Sequence, residues 1–144
     1  MIMSCLISLC CFRNADMKTP LFSLKGTSRR AKIVKVYDGD TVHAVFYFGS
    51  KLYRWKCRLT GIDTPEIKTN CQGEYQAAVM ARDKLRELIL NKLVTIKCDK
   101  FDKYGRLLIT IHKSGVNINK LMVRQGFAYE YDGGTKKKFV LNTI

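Results

Sequence analysis

Apolar and polar residues alternate through three successive runs. Residues 31–37 (Ala-Lys-Ile-Val-Lys-Val-Tyr) are rich in β-formers and stop at Asp38-Gly39, a turn signal. A second run, Thr41 to Phe48, places Val42, Ala44, Phe46 and Phe48 on one face. Gly49-Ser50 turns the chain. Leu52 to Leu59 then alternates Tyr53, Trp55, Cys57 and Leu59 with Arg54, Lys56 and Arg58. Three strands joined by tight turns predict a meander. The period changes over residues 74–90, where Ala78, Ala81, Leu85, Leu88 and Ile89 form one helical stripe. Two further strands are expected, about Val94 to Cys98 and Leu107 to His112. Asn117 is a suitable N-cap for a short helix through Arg124, with Gly126 as its C′ residue.

This order predicts an α+β fold. Five strands close into an OB-fold barrel, a long helix joins strands three and four, and one or two short helices follow at the C-terminal end. At 144 residues the chain has room for one well-buried core. The expected division is a leader or linker over 1–29, a barrel domain over 30–132, and a basic tail over 133–144. Within the leader, Met1 to Phe12 is apolar and cysteine-rich but too short to span a bilayer. Its first charge, Arg13, follows the apolar run, the reverse of a secretory signal. Ile2 stands where N-myristoylation requires glycine. A disordered leader, an atypical signal and an anchor acylated at Cys5, Cys10 or Cys11 remain open.

Charge changes the picture. The chain has 26 Lys+Arg against 12 Asp+Glu, a formal net charge of +14. Such an excess suits nucleic acid, an acidic membrane surface, or solubility alone. Its six cysteines show no C-x-x-C spacing, and there are only two histidines, so a zinc site is not expected. Cys57 and Cys98 fall in strand-like runs, where a free cysteine serves as a small buried hydrophobe. Reading the thiols as reduced favours an intracellular site, with secretion or membrane association left open by the leader.

Five of the 12 acids lie in three short islands: Asp38-Gly39-Asp40-Thr41, Asp63-Thr64-Pro65-Glu66 and Asp102-Lys103-Tyr104-Gly105-Arg106. Carboxylates embedded in a basic chain commonly hold a cation or move a proton. The first island is not an EF-hand, since the later ligand positions and the closing Glu are missing. Pro65 stiffens the second island and fixes where the Thr64 carbonyl points. Oxygens from Asp40, Asp63 and a backbone carbonyl would suit Ca²⁺. Arg58 and Arg106 offer paired donors matched to phosphate oxygens. Two arginines, a hard cation and a spare carboxylate are the parts that phosphodiester hydrolysis needs.

These islands, together with Leu121-Met122-Val123-Arg124-Gln125-Gly126-Phe127-Ala128, resemble in order and spacing the staphylococcal nuclease-like (thermonuclease) family, over about residues 31–131. The resemblance implies an OB-fold and a Ca²⁺-dependent nuclease acting on DNA and RNA, leaving 3′-phosphate and 5′-hydroxyl ends. It implies Asp40, Asp63 and the Thr64 carbonyl as Ca²⁺ ligands. Arg58 and Arg106 are implied to clamp the phosphate, and Glu66 to activate or orient water. Lys103 and Tyr104 are implied to contact a terminal phosphate, and Tyr129 or Tyr131 to line a nucleotide pocket. Asp38 would stand behind the cation's ligands rather than among them. Thirteen residues follow Tyr131, fewer than the long basic helix of the best-studied members needs. A monomer is expected, with no obligate protein partner.

Two other readings compete. One is a non-catalytic OB-fold module that binds nucleic acid. It shares the charge and the fold but has no need of Arg58, Glu66 and Arg106 in register. The other is a basic, acylated membrane-surface protein, which accounts for the leader and the charge but not for the islands.

Overall fold

Period-two alternation and β-rich composition produce three antiparallel strands: β1 (Ser28–Val36), β2 (Thr41–Phe48) and β3 (Lys51–Leu59). The computed structural model describes residues 12–136. A two-residue strand, β4 (Ile62–Asp63), and the helix α1 (Gln72–Ile89) come next. β5 (Leu93–Phe101) and β6 (Leu107–Lys113) form the second hairpin. The chain continues through β7 (Val116–Asn117), α2 (Ile118–Arg124) and β8 (Tyr129–Glu130).

The main sheet has the order β3-β2-β1-β5-β6-β7, and β3 also pairs with β6. That second pairing closes five long strands into the expected OB-type barrel. It is parallel, with Cys57 opposite Leu107, Arg58 opposite Leu108 and Leu59 opposite Ile109. Closure therefore sets the end of β3, which carries Arg58, beside the start of β6, which follows Arg106. β4 and β8 form a separate pair that sets Asp63 opposite Tyr129.

The inward residues of each strand build one core. Ile33, Val42, Ala44, Leu59, Ile96, Leu107, Ile109 and Ile111 are buried there. Each large aliphatic side chain so buried contributes about 1.5–3 kcal/mol relative to exposure. The helical stripe faces this core as expected: Ala78, Ala81, Leu85 and Ile89 are buried and Leu88 packs against it. Asn117 caps α2, its side chain accepting from Lys120 N. Gly126, past the C-cap, has φ +78°, a conformation glycine adopts without a Cβ clash. Cys57 and Cys98 are buried thiols, and burial pushes Cys57 up to about 12.

Three details differ from the sequence reading. Phe48 and Tyr53, on the apolar face of the alternation, are exposed, because the β2–β3 hairpin runs past the end of the core. Trp55 is only partly covered, stacking on Phe46 at 4.9 Å. Leu24, in the segment read as linker, is 2% exposed and belongs to the core. Asn119 is a buried polar residue that periodicity does not single out. Its side chain accepts from Ile111 N and donates to Thr60 O and Ile109 O, tying α2 to the end of β3. Residues 1–11 and 137–144, with much of the expected leader and tail, lie outside the described residues.

Candidate active site

The turn between β1 and β2 presents Asp40. The Asp38 carboxylate accepts from the backbone N–H of Asp40 (3.0 Å) and of Thr41 (2.7 Å), folding the turn on itself. Thr41 Oγ1 donates to Asp40 Oδ1 at 2.9 Å, and Leu59 N donates to the Asp40 carbonyl, anchoring the turn to β3. Gly39 is required by a close approach. A Cβ there would lie 2.7 Å from Thr64 Cγ2, so the first island packs directly on the second.

Arg58 joins the two islands chemically. Its Nη2 lies 2.9 Å from Asp63 Oδ1 and 3.1 Å from Asp40 Oδ2. Its Nη1 donates to the carbonyls of Leu59 and Ile62. Alternation alone put Arg58 on an exposed basic face with Arg54 and Lys56. Instead its side chain is 12% exposed and draws the acids together. Asp40 and Asp63 are themselves buried. Burial pushes the Asp40 carboxyl up to about 7, helped by the negative charge of Asp38 and opposed by Arg58. A carboxyl group that costs this much to ionise gains from a cation.

The third island delivers Arg106. Asp102 Oδ1 accepts from the backbone N–H of Tyr104 and of Arg106, and Oδ2 accepts from Arg106 Nε at 2.7 Å. Burial raises the Asp102 carboxyl, but these bonds and the Arg106 charge outweigh it and leave it below the usual range. Arg106 Nη1 reaches Thr41 Oγ1 at 3.4 Å. A polar path thus runs Arg106, Thr41, Asp40, Arg58, Asp63. Tyr104 lies beneath two cations, Lys103 at 5.1 Å and Arg106 at 5.5 Å from its ring centre.

One open cleft of about 970 Å³ is lined by Asp40, Arg58, Asp63, Thr64, Glu66, Lys103, Tyr104, Arg106 and Tyr131. Nine of the ten residues singled out from sequence therefore meet here. Tyr129 lines a neighbouring cleft of about 860 Å³, which Asp63 and Tyr131 also border. Tyr131 holds its ring 5.7 Å from the Arg58 guanidinium carbon and donates to Gly134 O.

Sequence reasoning missed Lys136. Its Nζ lies 2.7 Å from Glu66 Oε1 and 3.5 Å from Asp63 Oδ1. The bond to Glu66 and the charges of Asp63, Glu66 and Asp40 raise its pKa, burial opposing. Within a run of three lysines it carried no local signal, since its partners are some 70 residues away.

The donor set fits a hard divalent cation. Two carboxylates converge within hydrogen-bond reach of one nitrogen, and Thr64 is buried beside them. Among the described residues no three His, Cys, Asp or Glu side chains are grouped so as to hold a metal ion by themselves. Backbone carbonyl, water and substrate oxygens would complete such a shell.

The structure is thus a closed OB-type barrel that bears a polar cleft of acids and arginines. Comparison of sequences names the family. Residues 56–141 match the family model described as Staphylococcal nuclease homologue, and the chain belongs to that family. An Escherichia coli O157:H7 protein named uncharacterized endonuclease is 32% identical over 102 residues, covering 70% of this chain and 60% of its own length. A Haemophilus influenzae protein of the same description is 30% identical over 113 residues, 78% of this chain and 58% of its own. The Bacillus subtilis protein named endonuclease YncB is 33% identical over 110 residues, covering 71% and 49%. The chain thus spans about three-fifths or less of these relatives' lengths.

Proposed function

We propose that this domain is a Ca²⁺-dependent nuclease. It hydrolyses phosphodiester bonds of DNA and RNA and leaves 3′-phosphate and 5′-hydroxyl ends. The observation that carries this reading is the meeting of Asp40 and Asp63 at Arg58, in a cleft that also holds Glu66 and Arg106. Family membership supports it.

Asp40, Asp63 and the Thr64 carbonyl are the groups that would hold the cation, which when bound neutralises charge building on the phosphate. The other roles belong to the side chains. Glu66 accepts a proton from the attacking water, or orients it, and stands on a segment stiffened by Pro65. Arg106 is aimed by Asp102 and offers its remaining guanidinium donors to the non-bridging oxygens as the five-coordinate phosphorus forms. Arg58 sets the spacing of the two carboxylates and brings a second guanidinium to the cleft wall. Lys103 and Tyr104 meet a terminal phosphate, while Tyr131 and Tyr129 offer ring faces on which a base of any identity can stack.

The test is incubation of the purified protein with single-stranded DNA and with RNA in Ca²⁺, with and without chelator. Fragments should appear only with Ca²⁺, and their 3′ ends should resist polymerase extension until a phosphatase has acted. Tight binding without fragments would instead establish a non-catalytic module.

A further inference from the structure

The end of the barrel away from the cleft carries an aromatic surface with no part in the proposed chemistry. It lies seven residue steps along β2 from Thr41 to Phe48, about 23 Å at strand rise. Phe22 meets Phe48 edge-on at 5.3 Å, and Phe48 and Tyr53 each meet Trp55 at 6.3 and 6.5 Å. The hairpin tip is apolar on both faces. Phe48 and Tyr53 lie on one side, and the cross-strand pair Tyr47 and Leu52 lies on the other. Tyr47 is 60% exposed, Leu52 55%, Phe22 60% and Leu21 94%. Large apolar side chains left exposed together at a hairpin tip mark an interaction site.

The hairpin itself is one-signed. No acidic residue occurs between Asp40 and Asp63, so the whole hairpin carries only the cations Lys51, Arg54, Lys56 and Arg58. Before Asp38 the only acid is Asp16. The preceding sequence, Met1 to Cys11, has no charge at all. Aromatic tips, aliphatic side chains, flanking lysine and arginine, and an adjoining apolar segment are together what an anionic bilayer surface recognises. Bases would stack on the tyrosines, but Leu21 and Leu52 gain nothing from stacking and much from the headgroup boundary. Among the described residues no helix is long and apolar enough to cross a membrane.

We propose that the β2–β3 hairpin tip and the Leu21-Phe22 segment form a docking surface for an anionic lipid bilayer. The tip dips into the headgroup region, Tyr47, Phe48 and Tyr53 seat their rings at the interface, and Lys51 and Arg54 meet lipid phosphates. The cleft then faces the aqueous side, open to a polymeric substrate.

The test uses the 144-residue chain and co-sedimentation with phosphatidylcholine vesicles containing phosphatidylserine, against vesicles of phosphatidylcholine alone. Wild type should partition to the mixed vesicles. Leu52→Ser and Tyr47→Ser, both exposed and needed for no core contact, should each lower partitioning several-fold, and together roughly tenfold. Their melting temperatures and oligonucleotide affinity should stay unchanged. Wild-type protein that ignores mixed vesicles would overturn the proposal. So would variants that partition like wild type, which would assign the binding to net charge or to residues 1–11. A variant that loses oligonucleotide affinity, or that converts a dimer to a monomer, would reassign the surface to nucleic acid or to self-association.

Discussion

Lys136 and Glu66 are bonded across the mouth of the cleft, Nζ to Oε1 at 2.7 Å, although 70 residues separate them in sequence. The same ammonium lies 3.5 Å from Asp63. A lysine so placed neutralises the two carboxylates that a cation and a water would otherwise engage. Both partners are about half exposed, so solvent screens the pair and its effect is modest. Lys136→Met is expected to tighten Ca²⁺ binding about two- to fivefold, measured by isothermal titration calorimetry. Unchanged affinity would show that Lys136 does not compete for this site.

Gly39 and Thr64 form the contact that locks the first island to the second. A methyl group at Gly39 would meet Thr64 Cγ2 at 2.7 Å, which requires one of the two segments to move. Gly39→Ala should cost about 1–3 kcal/mol in urea denaturation. It should also weaken Ca²⁺ binding, because Asp40 follows directly. Combining it with Thr64→Ala should restore part of the loss, as coupled neighbours are non-additive. Strict additivity would mean that the two residues do not touch in solution.

Burial, with Asp38 adding to it and Arg58 opposing, pushes the Asp40 carboxyl up to about 7. For an acid whose folded pKa is raised above its unfolded value, the stabilising contribution is full below the unfolded pKa. It is lost as pH rises through the folded value. Metal-free protein should therefore lose stability toward neutral pH. Cation binding, which must displace that proton, should strengthen about tenfold per unit as pH rises toward 7 and then level off. Calorimetry in buffers of different ionisation heat should show about one proton released per cation below the plateau. Affinity independent of pH from 5 to 8 would contradict a proton held at Asp40.

Much of the frame is legible along the chain, because the forces that make it are local. Alternation places Val42, Ala44, Cys57 and Leu59 inward, and the stripe Ala78, Ala81, Leu85 and Ile89 finds the helix face. Turn chemistry at Asp38 and Asp102 is local too, and both carboxylates hold the backbone of their own loops. Long-range relations leave no such trace. The parallel pairing of β3 with β6 and the two-residue pairing of Ile62-Asp63 with Tyr129-Glu130 depend on how the barrel closes. Asn119 looks like any polar helix residue until three backbone partners surround it. Arg58 reads as one more cation on a basic strand face, and only the fold turns it toward two acids.

The proposed cation-dependent chemistry rests on the carboxylate pair at Arg58. The most direct measurement is single-turnover cleavage of a single-stranded oligonucleotide by wild type and by Asp63→Asn across a Ca²⁺ titration. Wild-type cleavage should rise to saturation with Ca²⁺ and vanish in chelator. Asp63→Asn should be slower by at least about 100-fold at the Ca²⁺ level that saturates wild type, with the fold retained by circular dichroism. Full wild-type cleavage in chelator, or an Asp63→Asn variant as fast as its parent, would contradict the account.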